Sequence, residues 1–510
     1  MRHETSVAMT TATQQELTDV LIRQDGQEDL CLATYRPSTG ATRTSALITS
    51  VISPGAHDRR VHGNVTITAD YVLRGLDVAR ADGCGLVVLH SHPGARGWQQ
   101  MSGADRDAEA SYANVAREVT GLPLVGMTLA TGDCAWSARH WDIGVGQEVD
   151  RTHSMNVRVV GDQLAVSWND TLVEPPRPTR RQIRTISSWG DRCQADLARR
   201  RVLVVGAGSV GLDVIVRLAA SGLCSLTVMD FDVVEEHNLD RLIGALSRDV
   251  SLKRPKIHVA RRLANGAATA AVPRFEFSDL SICEPDGLKL ALDHDLIFSC
   301  VDRPWPRAVL NALAYTDLIP VIDGGIAIDT FDDGSMRSAT WRSHVARPGR
   351  TCMSCNRQLD LGQVVPDKQG VLDDAGYINH AGRPTTPHGQ NVAPLSVSVS
   401  ASLLAQYISF SVAPAGFGDP GPLQYVLTTH QLRHCDDATR DHCPVESGES
   451  VGDHRTDLID HHPRAEHQRQ LAASPGRRIR ILRWIDDQAH ALGGWLDRVR
   501  NTSCPRQRRN

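Results

Sequence analysis

Aromatic residues make up only 5 % of the 510-residue sequence, and cysteines number 12. So few cysteines over such a length exclude the disulfide framework of a small secreted fold, and any clustered cysteines read first as metal ligands or nucleophiles. No stretch approaches the ~20 consecutive apolar residues that would cross a bilayer, so no membrane partner is expected. The opening residues, MRHETSVAMTTATQQELTDV, have no apolar signal core, and a cytoplasmic location is expected. Neither charge dominates: 55 Lys and Arg stand against 59 Asp and Glu, for a formal net charge of -4. That balance leaves no footprint for nucleic acid. Basic runs at 177–184 and in the terminal PRQRRN read as solvated linker and tail. What is present is a 41 % hydrophobic content, enough for proper cores, and a length that favours about two to four domains.

Hydrophobic patterning gives an α/β chain with four parts. Residues 14–150 read as a compact α/β unit, with strands in CLATYRPSTG, ATRTSALITSVIS, GLVVLHSH, LPLVGMTLATG and CAWSARHWD. Helical spacing appears in DYVLRGLDVARADG and SGADRDAEASYANVAREVTG. Residues 151–182 read as a linker carrying two short strands and the proline-rich VEPPRPTRRQ. Residues 183–445 alternate strands (RVLVVGAG, LTVMDFD, DLIFSCVD, IPVIDGG) with helices, which predicts a doubly wound parallel sheet. Residues 446–510 form a polar, partly helical C-terminal extension with no evident chemistry.

Chemistry concentrates first in VVLHSHPGARGWQQMSGAD, which carries His90, His92, Ser102 and Asp105. His90 and His92 alternate on a strand and so share a face. Ser102 is placed to N-cap the next helix, with Asp105 in its first turn. Two neutral imidazoles and a carboxylate suit catalytic Zn²⁺ with a position left for water, whose pKa the metal brings towards ~7. Ser102 could orient that water or donate to an oxyanion. A His-x-His pair alone is more often an ordinary strand end; Pro93 and the Ser-x-x-Asp that follow turn the reading to zinc. These residues resemble the JAB/MPN+ (JAMM) metalloprotease motif. The resemblance implies a JAB fold over 14–150 and an upstream glutamate as general base, for which Glu28 is the better match and Glu16 the weaker. The interval from His92 to Ser102 is longer than is usual in that family.

A second signature, Gly206-x-Gly208-x-x-Gly211, follows a buried strand and opens a helix, so that phosphates can meet backbone amides at the helix N-terminus. The glycines alone fit NAD or FAD as well as ATP, and Asp230 at the next strand's end could hold the ribose in either case. The residues that follow break the tie: Asp232, Asn238, Arg241, Lys256 and Asp302 form a polar set suited to a triphosphate and Mg²⁺. In this order they resemble the ThiF/MoeB and ubiquitin-activating family over about 181–445. The resemblance implies a Rossmann-like adenylation domain in which Asp230 takes the ribose, Asn238, Arg241 and Lys256 the phosphates, and Asp302 the metal. Leu242 stands where the family usually has glutamine. It also implies a homodimer in which an arginine reaches the partner's ATP, with Arg184 and Arg192 as candidates.

Cys352-Met-Ser-Cys355 has knuckle spacing, and Cys435 with Cys443 forms a looser pair; four thiolates can close a structural zinc. Of the remaining cysteines, only Cys504 follows Asp302, in a basic tail, so no thioester nucleophile is obvious. The two resemblances share a natural substrate, a small β-grasp protein with a Gly-Gly tail. The leading expectation is therefore a bifunctional enzyme of a prokaryotic ubiquitin-like system. It would cleave at that tail with zinc and adenylate the exposed carboxylate with MgATP, with a conjugating-type partner as the expected recipient. Two alternatives stand beside it: activation of a sulfur-carrier protein for thiocarboxylate formation, and an adenylyltransferase whose JAB unit only docks.

Overall fold

A computed structural model of the chain describes residues 3–62, 64–144, 148–373, 390–456, 458–473, 479–486 and 488. Cys504 lies outside the described residues. The first eleven strands are β1 (Glu4–Thr10), β2 (Leu30–Thr39), β3 (Arg43–Ile52), β4 (Arg59–His62), β5 (Asn64–Ile67), β6 (Gly85–His92), β7 (Leu124–Ala130), β8 (Ala135–Ile143), β9 (Val149–His153), β10 (Asn156–Val160) and β11 (Leu164–Trp168). Nine of them form one mixed sheet in the order β11-β10-β1-β3-β2-β6-β7-β8-β9, and β4 and β5 form a separate hairpin. Strand β6 is buried on both faces, which is why GLVVL reads as an unbroken apolar run. Val87 and Leu89 pack with Val7, Ile48 and Trp136 on one side; Leu86 and Val88 pack with Leu32, Leu76 and Ala113 on the other. His90 and His92 continue the second set by strand alternation, on the side of helices Ala69–Ala81 and Gly103–Thr120.

Two boundaries differ from the sequence expectation. The first unit begins before residue 14, because β1 runs between β3 and β10 in the middle of the sheet. Residues 151–168 are not linker: Val157–Val160 pair in parallel with Val7–Thr10, and β11 closes that edge. Strand pairing overrides the proline and charge signals that follow Trp168.

The second sheet holds β12 (Arg201–Val205), β13 (Ser225–Met229), β14 (Arg274–Ser278), β15 (Leu296–Ser299), β16 (Val321–Thr330), β17 (Met336–Ala346), β18 (Leu423–Val426) and β19 (Gln431–His434), in the order β14-β13-β12-β15-β16-β17-β18-β19. The first five are parallel and the last three antiparallel, so the expected doubly wound half is extended by a meander. Its chain reverses direction of winding between β12 and β15, the place where such sheets bind ligands.

The helix Ala393–Val412 has 20 residues and a mean hydropathy of 1.4, long and apolar enough to cross a membrane by length and composition. No such stretch was expected, because serines interrupt its apolar residues. Here Val399 and Leu403 pack over Gly324, Ser398 accepts from Trp341 Nε1 at 2.8 Å, and Ser400 donates to the Val210 carbonyl at 3.1 Å. It is a core helix of this sheet.

The two sheets do not behave as beads on a string. Ala8, Leu47, Val160 and Leu164 of the first belong to the same apolar cluster as Val202, Leu212 and Phe298 of the second. Beside this shared core Asp295 holds Arg43 Nη1 at 2.6 Å and lies 3.8 Å from Arg158, all three almost fully buried. Asp293 accepts from the backbone of Thr42 and Arg43 at 3.0 Å, and Ser38 donates to Asp317 at 2.8 Å.

Candidate functional site

The glycine loop leaves β12 into a cavity of about 1470 Å³ at the reversal between β12 and β15. Gly206 has φ +97, and a Cβ there would lie 2.5 Å from the Cys300 carbonyl oxygen; a Cβ on Gly211 would lie 1.9 Å from the Gly206 carbonyl. Both positions therefore need glycine to let loop, helix and β15 meet. Gly208 caps the helix Ser209–Ala220 and faces open space inside the cavity, room for an anion at a helix N-terminus.

The cavity wall contains Gly206, Gly208, Asp230, Asp232, Asn238, Arg241, Lys256 and Asp302, and Gly211 lies beneath it. Asp230 accepts from Ala207 N at 2.6 Å and from Asp232 N at 2.8 Å. Burial pushes its carboxyl up to about 6, against the pull of Lys256. Lys256 donates to Asp232 Oδ2 at 2.8 Å. Burial alone would lower its ammonium pKa, but Asp232 and Asp230 outweigh that and hold it well above the ordinary value. Burial likewise works to raise Asp232, and Lys256 and Arg464 outweigh it, so the carboxyl stays below its usual range. Asn238 is partly committed, accepting from Glu235 N at 3.1 Å. Arg241 donates to the His237 carbonyl at 2.5 Å and pairs with Asp240 at 2.8 Å. Arg184 and Arg192 are exposed on the helix Ile183–Ala198 and do not line the cavity.

Other cations in this wall went unread in the sequence: Arg303, Arg307, Arg342 and Arg464. Arg307 Nε lies 3.0 Å and Arg342 Nη2 3.6 Å from the buried carboxylate of Asp323. Arg303 and Arg307 sit immediately after Asp302 in DRPWPR, a signal that was available. Arg464 comes from the C-terminal extension, which was expected to carry no chemistry.

In the first sheet His90, His92 and Asp105 come together, with one ligand atom from each inside a 4.8 Å group. The two Nε2 atoms are 3.2 Å apart and His90 Nε2 is 3.8 Å from Asp105 Oδ2. Gln99 Oε1 lies 3.2 Å from His92 Nδ1, which leaves Nε2 as the free lone pair when Nδ1 carries the proton. Burial lowers His90 to about 3, so the ring is neutral, the form that ligates metal. Beneath it Arg139 donates to Thr128 Oγ1 at 2.6 Å and pairs with Glu109. Ser102 and Asp105 form a reciprocal capping box: Ser102 Oγ donates to Asp105 Oδ2 at 2.7 Å and accepts from Asp105 N at 3.1 Å. With its proton so committed, Ser102 is arranged to orient Asp105 rather than to serve an oxyanion. Glu28 is half-buried just before β2; burial raises its carboxyl pKa, and His92 and Asp105 are the charges it feels. Glu16 is exposed on the helix Thr11–Leu21.

The cysteine set needs correction. Cys352, Cys355 and Cys443 cluster with Glu446, one ligand atom from each lying within 4.8 Å of the others. Cys435 is not among them; its Sγ donates to Gln424 Oε1 at 3.6 Å, at the end of β19. The second pair thus keeps the two-residue interval of the first, as Cys443-Pro-Val-Glu446. A search for cysteines alone passes over the carboxylate.

A model of the ThiF family matches residues 179–440, just over half of the chain. The chain belongs to the ThiF family. The match does not extend over the first sheet. Among curated proteins, molybdopterin-synthase adenylyltransferase of Escherichia coli is 32% identical over 150 residues, 28% of this chain and 58% of that protein. The adenylyltransferase and sulfurtransferase UBA4 of Yarrowia lipolytica is 31% identical over 194 residues, 35% of this chain and 46% of that protein. The NEDD8-activating enzyme E1 catalytic subunit of Schizosaccharomyces pombe is 29% identical over 130 residues, 24% and 28% of the two chains. The chain thus spans less than two thirds of the length of each of these relatives. Among solved structures, E. coli MccB with ATP is 20% identical, with a TM-score of 0.39 over 52% of this chain and 74% of that one.

Proposed function

We propose that the chain activates the C-terminal carboxylate of a small β-grasp protein, of the sulfur-carrier or ubiquitin-like kind, by adenylation with MgATP. The observation that carries this reading is the gathering of the glycine loop, Asp230, Lys256 and Asp302 around one cavity of a ThiF-family sheet. Relatives named for molybdopterin synthase and for paired adenylyl- and sulfurtransfer favour the sulfur-carrier route over conjugation. The space beside Gly208 and the charged Lys256 fit a triphosphate. Bound MgATP supplies the electrophilic α-phosphorus and the pyrophosphate leaving group. Asp230 would accept from the ribose hydroxyls, the loop amides and Lys256 would neutralise phosphate oxygens with Asn238 and Arg241 beside them, and Asp302 would hold the magnesium. A homodimer and a conjugating-type partner belong to the same proposal.

The test is ATP–pyrophosphate exchange with the β-grasp proteins encoded beside this chain, followed by intact mass. A terminal thiocarboxylate supports the sulfur route and a protein adduct the conjugation route; absence of exchange with every partner ends the reading. One pH effect follows from Asp230, which accepts ribose hydroxyls best when ionised. Because its carboxyl titrates near 6, Mg·ATP affinity is expected to rise as pH climbs through about 6, and Asp230→Asn to flatten that rise. Calorimetric titration across that interval measures both.

The grouping of His90, His92 and Asp105 favours a second reading beside the first: hydrolysis at the same protein's tail by a JAB-like centre. Zinc held by these three residues would supply an ionisable water. Glu28 is the candidate base, and Ser102 fixes Asp105. By elemental analysis, His92→Ala is expected to lower zinc by about one equivalent per chain, with the Cys352 cluster unaffected. Glu28→Gln is expected to retain the metal and lose cleavage. Zinc retained with no cleavage of any tail by the native chain would leave the first sheet as a docking module.

A further inference from the structure

The chain beyond the ThiF match returns to the nucleotide cavity. Asp453 accepts from Thr39 N at 2.9 Å and Thr39 Oγ1 at 2.6 Å, and the Leu458 carbonyl accepts from Trp305 Nε1 at 2.8 Å. Asp460 N donates to the Cys283 carbonyl at 2.8 Å. The helix Pro463–Ala473 is then fastened by Arg469, which donates to both oxygens of Glu284 at 2.8 and 2.7 Å. Between these anchors His462, Pro463, Arg464 and Gln468 become part of the cavity wall. His462 packs edge-on against Phe231 and Trp305, with ring centroids 5.1 and 4.9 Å away, and its Nδ1 is 2.8 Å from Ser281 Oγ. Arg464 Nη2 lies 3.4 Å from Asp232 Oδ1, while Lys256 Nζ holds the other oxygen at 2.8 Å.

Two cations thus flank one carboxylate at the cavity edge. A polyanion that reaches Lys256 meets Arg464 as well, because Asp232 fixes both. We propose that Arg464 is a nucleotide-binding residue, supplied in cis by the C-terminal segment, which shares the triphosphate with Lys256. This rests on the adenylation reading and adds to it a cation from outside the ThiF match. A planar guanidinium suits the work because it can meet two phosphate oxygens at once.

The test is calorimetric binding of Mg·ATP and of AMP to the full chain. Arg464→Gln is expected to weaken Mg·ATP by about tenfold or more while AMP changes by less than about twofold, since a charge-assisted contact is lost only where the β- and γ-phosphates exist. Arg464→Lys keeps the charge but not the fork, and is expected to show the same split at about threefold; it carries the test if the Gln variant does not fold. Equal loss of ATP and AMP, or unchanged ATP affinity in a variant that binds AMP normally, overturns the proposal. Failure of the native chain to bind Mg·ATP overturns the adenylation reading itself, a distinguishable result.

Discussion

Lys256→Met is expected to cut ATP–pyrophosphate exchange by about 10²–10³-fold, the scale seen when one preorganised donor to developing charge is removed. The lysine begins the helix Lys256–Ala267, which aims its ammonium into the cavity, and its two carboxylate neighbours keep it protonated at any working pH. The methionine stem preserves the packing of the lysine's methylenes. Asp232 keeps Arg464 at 3.4 Å, so the chain is expected to remain folded. The loss should therefore appear in exchange and Mg·ATP affinity, with the thermal midpoint nearly unmoved. Exchange at the native rate in this variant would remove Lys256 from the phosphate site.

Asp295→Ala should have the opposite profile, with its largest effect on stability. It leaves Arg43 and Arg158, both almost fully buried, without their counter-ion. Breaking a buried pair from one side costs about 3–5 kcal/mol, because an uncompensated charge stays inside. Asp295 also accepts from Arg201 N at 3.0 Å, so a backbone donor at the start of β12 loses its partner too. Burial works to raise the Asp295 carboxyl, and Arg43 and Arg158 outweigh it, holding it down to about 2. A carboxylate with a depressed folded pKa adds stability above its unfolded value of 3.8, and that contribution fades as pH falls towards about 2. Scanning calorimetry of the full chain should show a lowered midpoint for Asp295→Ala at neutral pH and a smaller difference from the native chain in acid. A midpoint unchanged at neutral pH would show that the buried arginines find other partners.

Much of the glycine-loop cavity was legible because its chemistry is local. The strand–glycine–helix passage and Asp230 at the next strand end each follow from short-range rules, and so does Ser102 as the cap of Gly103–Thr120. What could not be read depended on distant pairing. Strand β1 has only a short apolar run, VAM, and becomes a central strand because β3 and β10 bracket it. Residues 452–456 and 458–473 attach largely through polar contacts and salt bridges, with only isolated packing residues such as Ile459 and Ala465, which leave no hydrophobic period to detect. Glu446 joins the thiol cluster through the turn that brings Cys443 round to Cys352, and a carboxylate has no spacing signature of its own among many. Cys435 went astray for the converse reason: composition recommended it, but the strand it follows carries its sulfur to Gln424.

The apolar seam joining the two sheets has a practical corollary. Cutting the gene anywhere between Trp168 and Arg201 would strand Ala8, Leu47, Val160 and Leu164 in water, along with two orphaned guanidinium groups. Neither half is then a portable cassette. Whatever passes between the histidine cluster and the glycine loop must cover a span that the shared seam sets.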